Sequence, residues 1–559
     1  PPLPVPVPVP ALTGLSVTVL GGEAPPAGAL PDLPDLPTAT GAVPQPAPTG
    51  QPAPPPDAPA GGCPCASVFD FKKVPRTRPF PKPGNFPVLA TGPGYYSALD
   101  QLRGQELKGP PKYPYPRFSL IQPSFFDVDN FAYLDDPKNT ERDVFDPLKR
   151  IRLGDNWLLT TGGEFRNRYE NAYNDRLGGR DNTYNLVRTR LYADLWYRDD
   201  LRIFAEYIGA WSQFQDLAPL PIDQNKSDFL NLFVDLKVAD LGGNPAYVRV
   251  GRQELLFGSQ RLISTLDWAN TRRTFQGVRA FRQTEKLDVD LFWVQPVRID
   301  PNRLDSVDNN QNFAGAWVTY RPSKTHTYDA YYLMLDNTNR VTQLGIPRGN
   351  FTRHTIGGRS VGSLASNPNV LFDTESAVQF GSQNGRDVFA GMFTQGLGYN
   401  FKDATWNPTV WAYYDYASGG GAQRGTARTF NQLFPFGHYY LGWIDQVGRQ
   451  NIHDLNFHLY LYPTRWLTTW IQSHTFWLAD RRDALYNAGG NAIRFDRTGR
   501  AGSYVGQELD FVFNFHLSKH ADILTGYSHL FGGEFIKNTA GRTGAVDSGL
   551  FYLQFSYKW

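Results

Sequence analysis

Charged residues recur at every second position along much of this 559-residue chain. Glu164, Arg166 and Arg168 stand two apart, as do Arg188 and Arg190, with Asp194 further along the same register. Arg249, Arg279, Arg353 and Arg359 fall in similar runs. The carboxylates follow the same habit: Asp288 with Asp290, Asp373 with Glu375, and Glu206, Asp235, Asp329 and Asp415 singly. Two chemistries suit such residues. A glycosidase needs carboxylates on opposite sides of a sugar. Neighbours two apart on an extended chain point the same way, so these pairs are poor candidates for acid–base work. Guanidiniums on one face can instead guide an anion, or pair with the carboxylates as a ladder that stiffens a wall. No H-E-x-x-H or Walker-type loop occurs. His354, His453, His458 and His474 form no ligand set by spacing and read as wall or rim residues. No enzyme, metal or cofactor is expected.

The elements that must position these charges are β-strands. From Asn156 onward, about ten alternating residues are followed by a turn, again and again. The runs start at Leu158–Ala172 and Tyr184–Tyr197 and end at Leu550–Trp559, about 18 in all, an even number as a single-chain bacterial barrel requires. Short links, such as 198–200, 322–324 and 463–465, alternate with long ones, such as 256–272, 418–450 and 478–503. Outer-membrane barrels show this asymmetry, with short periplasmic turns and long external loops; a soluble sandwich has no reason to. The link at 360–370 is longer than its short-turn position suggests. Trp157, Trp406, Trp466 and Trp559 fall at the short-turn end, and Trp211, Trp293 and Trp477 toward the long loops, as two aromatic belts would.

One strand fixes the parity. In 229–238, Leu230, Leu232, Val234, Leu236 and Val238 face lipid, so Asn231, Phe233, Asp235 and Lys237 face the lumen. The same rule turns every charge named above inward, where it avoids the roughly 2–4 kcal/mol cost of meeting lipid at mid-membrane. Arg252 has the opposite parity; it enters the pore-lining set only if a bulge beside Gly251 turns it, and otherwise lies in the external rim. At the C-terminus Phe551, Leu553, Phe555, Tyr557 and Trp559 alternate with polar residues. An amphipathic strand ending in an aromatic resembles the closing strand of bacterial outer-membrane barrels, which serves as a signal to the assembly machinery.

Composition agrees. No run of about 20 apolar residues is present, so no transmembrane helix is readable. A net charge of +2 suggests no nucleic-acid partner. Residues 1–62 hold 19 of the 44 prolines and no Lys or Arg, and read as an extended or disordered tail that contacts neighbouring envelope proteins or stays free. The chain starts at Pro1 without Met, which reads as a removed signal peptide or a clipped chain. Cys63 and Cys65 are too close for an unstrained disulfide and lack further metal ligands nearby; free thiols or crosslinks to another chain are expected. Residues 63–154 read as an irregular periplasmic segment, with Asp127, Asp129, Asp135 and Asp136 in a solvated acidic loop that fails the EF-hand spacing.

Arg249-Val-Gly-Arg-Gln-Glu-Leu-Leu-Phe-Gly-Ser-Gln-Arg-Leu262 resembles the alginate export family of outer-membrane barrels, and Arg272-Arg-Thr-Phe-Gln-Gly-Val-Arg279 follows where that family has it. His354-Thr-Ile-Gly-Gly-Arg359 and Phe372–Gly381 are similar to it as well. The resemblance runs over about 155–559 and implies an 18-stranded barrel whose arginine-rich lumen passes an anionic polysaccharide passively. The expectation is therefore an all-β, single-chain transmembrane antiparallel barrel in the bacterial outer membrane, contacting lipid and conducting anionic polysaccharide or small anions. The alternative is a general porin, or a structural barrel of a larger envelope assembly with its lumen closed by loops.

Overall fold

The computed structural model describes residues 69–75, 98–105, 124–127, 131–140, 142–420 and 425–559. The proline-rich stretch, Cys63, Cys65 and Asp129 lie outside these residues. Alternating sequence becomes strand throughout. β1 spans Trp157–Tyr173, β2 Asn182–Tyr197, β3 Leu201–Gln213, β4 Asn225–Asp240, β5 Pro245–Gln253 and β6 Phe275–Gln283. β7 is Leu287–Arg298, β8 Gln311–Ser323, β9 His326–Asn337, β10 Phe351–Ser363, β11 Val370–Gln383 and β12 Arg386–Asn400. β13 is Thr409–Ala417, β14 Ile452–Thr464, β15 Leu467–Leu478, β16 Tyr504–His516, β17 Ala521–Gly532 and β18 Ser548–Lys558.

Each strand pairs antiparallel with the next, and β18 returns to β1 in a ladder from Glu164↔Lys558 to Tyr173↔Gly549. The result is a closed 18-strand barrel. Closure satisfies strand backbone groups from within the sheet, as a hydrocarbon surrounding demands. Just past the ladder, Gly163 and Trp559 exchange both backbone hydrogen bonds, at 3.0 and 3.1 Å. β1 begins before its ladder with β18 does. There a short strand, Ile151–Leu153, pairs with it, Ile151 opposite Leu159 and Leu153 opposite Trp157.

The two faces separate cleanly. Leu232, Leu236, Leu291, Phe389, Leu397, Phe457 and Phe511 point outward with no protein over them, more apolar surface than a water-soluble monomer keeps. Their neighbours Asn231, Phe233, Asp235, Glu508, Asp510 and Asn514 are buried inside. Leu230 breaks the expected parity. The β3–β4 register shifts between Glu206 and Tyr207, making Leu230 the extra residue of a bulge, and it packs inward on Ile208 and Ala210 instead of facing lipid.

Links at one end are short, except for 401–408, and most at the other are long. The link expected at 360–370 shrinks to 364–369 because β10 runs on to Ser363. At the long-loop end, Asn384-Gly385 alone joins β11 to β12. Both residues have positive φ, 51° and 74°, the geometry of a two-residue type I′ turn.

Two connections do not stay outside. Residues 254–274, between β5 and β6, and the described residues of 418–451, between β13 and β14, run into the barrel. Leu255, Leu262, Ile263, Phe430, Tyr439, Trp443 and Val447 join the wall's inward side chains in one buried core. The inserts meet through their backbones: Ser264 N–H donates to the Phe434 carbonyl, Phe434 N–H to Leu262 and Phe436 N–H to Gln260, each at 2.9 Å.

Candidate functional site

The inward arginines of β1 and β2 converge on insert 254–274. Arg166 donates to the carbonyls of Asp267 at 2.8 Å and of Trp268 and Ala269 at 3.3 Å. Arg168 donates to the Trp268 carbonyl at 2.8 Å, while its guanidinium lies 3.7 Å from the centre of the Trp268 ring. It also pairs with Glu170 at 2.5 Å. Arg188 bridges Glu164 at 2.7 Å and the Asp267 carboxylate at 2.8 Å. Burial by itself raises the Asp267 pKa, but the guanidiniums of Arg188, Arg272 and Arg166 outweigh it and hold the carboxyl below its ordinary range. Asp267 is therefore an anion inside the barrel.

Nearer the short-turn end the same arc holds a second set. Arg190 pairs with Glu206 at 2.6 Å and stacks over Phe125 at 4.2 Å. Arg249 pairs with Asp235 at 2.7 Å and stands over Phe126 at 4.5 Å. Arg279 pairs with Asp290 at 2.6 Å, and Asp194 with Arg202 at 2.8 Å. Phe125 and Phe126 belong to the segment before the barrel, yet they pack among Tyr192, Phe204 and Phe233 inside its mouth. Phe71 and Val74 do the same against Leu158, Trp196 and Tyr247. Asp135 is not a solvated loop residue: it pairs with Arg150 at 2.6 Å. Between these contacts a cavity of about 730 Å³ remains at the short-turn mouth, lined by Arg202, Arg249 and Arg279, by Asp194 and Asp235, and by aromatic rings.

Across the barrel, carboxylates hold the inserts. Asp373 and Glu375 on β11 receive the guanidinium of Arg261 at 2.8 and 2.9 Å, and Asp373 also takes Arg359 of β10 at 2.8 Å. Asp415 on β13 accepts from Arg449 of insert 418–451 at 2.5 Å. Asp288 pairs with Arg321. Arg353 donates to the Gln379 amide oxygen at 3.1 Å and to the Thr429 carbonyl at 2.9 Å. Around 418–451 the wall is aromatic. Trp443 stacks on Tyr552 with centroids 5.4 Å apart and meets Trp470 edge-on at 5.4 Å. Gly442, with φ near +90°, comes so close to β16 that a Cβ would run into the Glu508 carboxylate.

Arg252 is the one candidate outside this interior. It lies opposite exposed Leu232, so the strand does not turn it inward, and it pairs with Asp228 at 3.1 Å and the Asp305 carbonyl at 3.0 Å in the long-loop rim. At the closing strand Phe551, Leu553, Phe555, Tyr557 and Trp559 take the outward parity, and Tyr552, Gln554, Ser556 and Lys558 are buried inside. Arg202 is missing from the expected inward set although it shares parity with Glu206. Arg261, Asp267, Arg272 and Arg449 sit in aperiodic loops, where parity gives no signal; only the family-like stretches draw attention to Arg261 and Arg272. Among the described residues no group of His, Cys, Asp and Glu is arranged to hold a metal ion.

Comparison with known proteins places this architecture. The outer membrane protein OpdK of Pseudomonas aeruginosa has a similar fold, with 11% identity, a TM-score of 0.50, and coverage of 72% of this chain and 98% of that one. OpdQ of the same organism gives 12% identity, a TM-score of 0.49, and coverage of 72% and 97%. At such identities the likeness concerns the fold. No curated protein matches the chain. The sequence profile described as Alginate export matches residues 157–547, from the first residue of β1 to the foot of β18. The chain thus belongs to the alginate export family of outer-membrane barrel channels.

Proposed function

We propose that this outer-membrane channel passes anions, with an acidic polysaccharide as its large substrate and small anions as the lesser case, and that the structure is a closed state. The observation that carries the reading is the inward cluster Arg166, Arg168, Arg188 and Arg190 on two adjacent strands: paired here with Glu164, Glu170, Glu206 and the insert's Asp267, it keeps a net positive charge once Asp267 leaves, which a low-dielectric wall focuses into the bore. The external end is the long-loop end, and the segment before β1 lies in the periplasm. Lipid surrounds the apolar belt, and the β18 aromatics engage the barrel assembly machinery. Planar-bilayer reversal potentials under a salt gradient test it. The wild-type channel should prefer anions, and Arg166→Glu with Arg188→Glu and Arg190→Glu should shift the potential toward cations. Unchanged selectivity would reduce these arginines to wall ion pairs.

A second reading has its own support. The two buried inserts cross the bore, so a barrel that is chiefly structural, or a general porin opened only on occasion, also fits. Open-channel events in the wild-type protein separate the two: a structural barrel shows none at any voltage or salt.

A further inference from the structure

Arg166, Arg168 and Arg188 grip one short stretch of their own chain. What they hold is chemically particular: the Asp267 carboxylate and the successive carbonyl oxygens of Asp267, Trp268 and Ala269, at 2.8–3.3 Å. One full negative charge beside a row of partial ones is what a uronate residue offers through its carboxylate, ring and hydroxyl oxygens. The Trp268 ring lies between Arg168, His438 at 3.9 Å and Tyr552 at 5.1 Å. If the ring leaves, two aromatic surfaces remain to meet the apolar face of a sugar.

We propose that Asp267–Asn270 is an internal stand-in for a carboxylate-bearing sugar, and that an entering polyuronate exchanges with it on Arg166, Arg168 and Arg188, freeing this side of insert 254–274 from the wall. The identity of the ligand rests on the anion reading above; the latch itself does not. Exchange is feasible because each charge-assisted hydrogen bond lost to the insert is remade to the sugar. Chloride offers one charge and no row of acceptors, so it is a poor substitute. The ion pairs of Arg261 with Asp373 and Glu375, and of Arg272 with Glu254, tie the insert down on either side of Asp267–Asn270. Only its wall contact at 264–272 should loosen, with the Ser264 amide that donates to the Phe434 carbonyl.

Hydrogen exchange on the full-length chain in detergent micelles tests this. A short oligouronate should speed exchange of amides 264–272 by about tenfold or more, the loss of roughly one charge-assisted bond. A neutral oligoglucoside of equal length should change nothing, and amides 439–447 should stay protected. Calorimetric binding of the oligouronate without faster exchange would overturn the latch and leave the anion reading standing. Absence of binding would overturn the ligand assignment. The latch is then judged without ligand: Arg166→Gln, and separately the isosteric Asp267→Asn, should each speed the same amides by about tenfold. Unchanged exchange in either variant, shown folded by its heat-modifiable gel mobility, would refute it.

Discussion

The two inserts lie in one barrel but are held by different forces. Insert 254–274 is held by guanidiniums of β1 and β2 on one side and carboxylates of β11 on the other. Insert 418–451 is held mainly by rings, with Trp443, Tyr439 and Trp470 packed edge and face, and Arg449–Asp415 as its charged tie. Ion pairs can be traded for other ions of like geometry. Buried aromatic area cannot, because nothing dissolved in water replaces it. The barrel thus combines an insert that an ion can loosen with one that it cannot.

The largest expected effect lies on the aromatic side. Trp443→Ala removes a fully buried side chain and should lower the stability of 436–447 by about 3–5 kcal/mol, read by hydrogen exchange and equally at low and high salt. A strong salt dependence would erase the contrast. On the ionic side, Arg261→Ala leaves Asp373 and Glu375 short of a buried partner and should cost about 3 kcal/mol in denaturant titration, partly recovered by adding Asp373→Asn. Failure of that recovery would mean that Arg261 acts by packing alone, and the inserts would then be alike. Arg188→Gln should cost about 1.5–3 kcal/mol and loosen 264–272 without touching 436–447.

Much of the wall is legible in the residues alone. Period-two patterning marks every barrel strand in order, because one face of each must be apolar and the other need not be. Parity then turns Glu164, Arg166, Arg188 and Asp373 inward. It fails at Leu230, where a bulge adds a residue without disturbing the alternation along the chain. Seven tryptophans fit the two belts and six others do not; Trp196, Trp268, Trp317, Trp411, Trp443 and Trp470 are all interior. The inserts escape such patterning for a plain reason. Loop residues have no period, so nothing in 254–274 or 418–451 declares which side of the wall it occupies. The partners of the inward arginines are hidden with them.

The smallest effect is a control on both inserts. At the short-turn end Asp143 accepts from Lys519 and, at 2.8 Å, from His520. Burial raises the Asp143 pKa, but hydrogen bonds from Lys519, the Phe145 amide and His520 outweigh it and bring it below the ordinary 3.8. A lowered carboxyl stabilises the fold above that ordinary value and loses its contribution as pH falls below it. Acid should therefore free 142–149 from the turn, at a cost of no more than about 1 kcal/mol. Asp143→Asn should remove the pH dependence and leave exchange in both inserts unchanged; movement of either insert would show that the mouth and the bore are coupled.

The overhang of β1 has a consequence for how the molecule meets copies of itself. Its first residues pair with β2 on one side, but β18 has already ended on the other. That side would be a bare strand edge, with amides and carbonyls open to any extended chain that drifts past. Ile151–Leu153 covers it, and the Gly163–Trp559 pair closes the remaining gap. The segment before the barrel is thus its hem as well as the source of the rings in its mouth. Without it, the cylinder would still close upon itself, yet keep a place where two cylinders could stick.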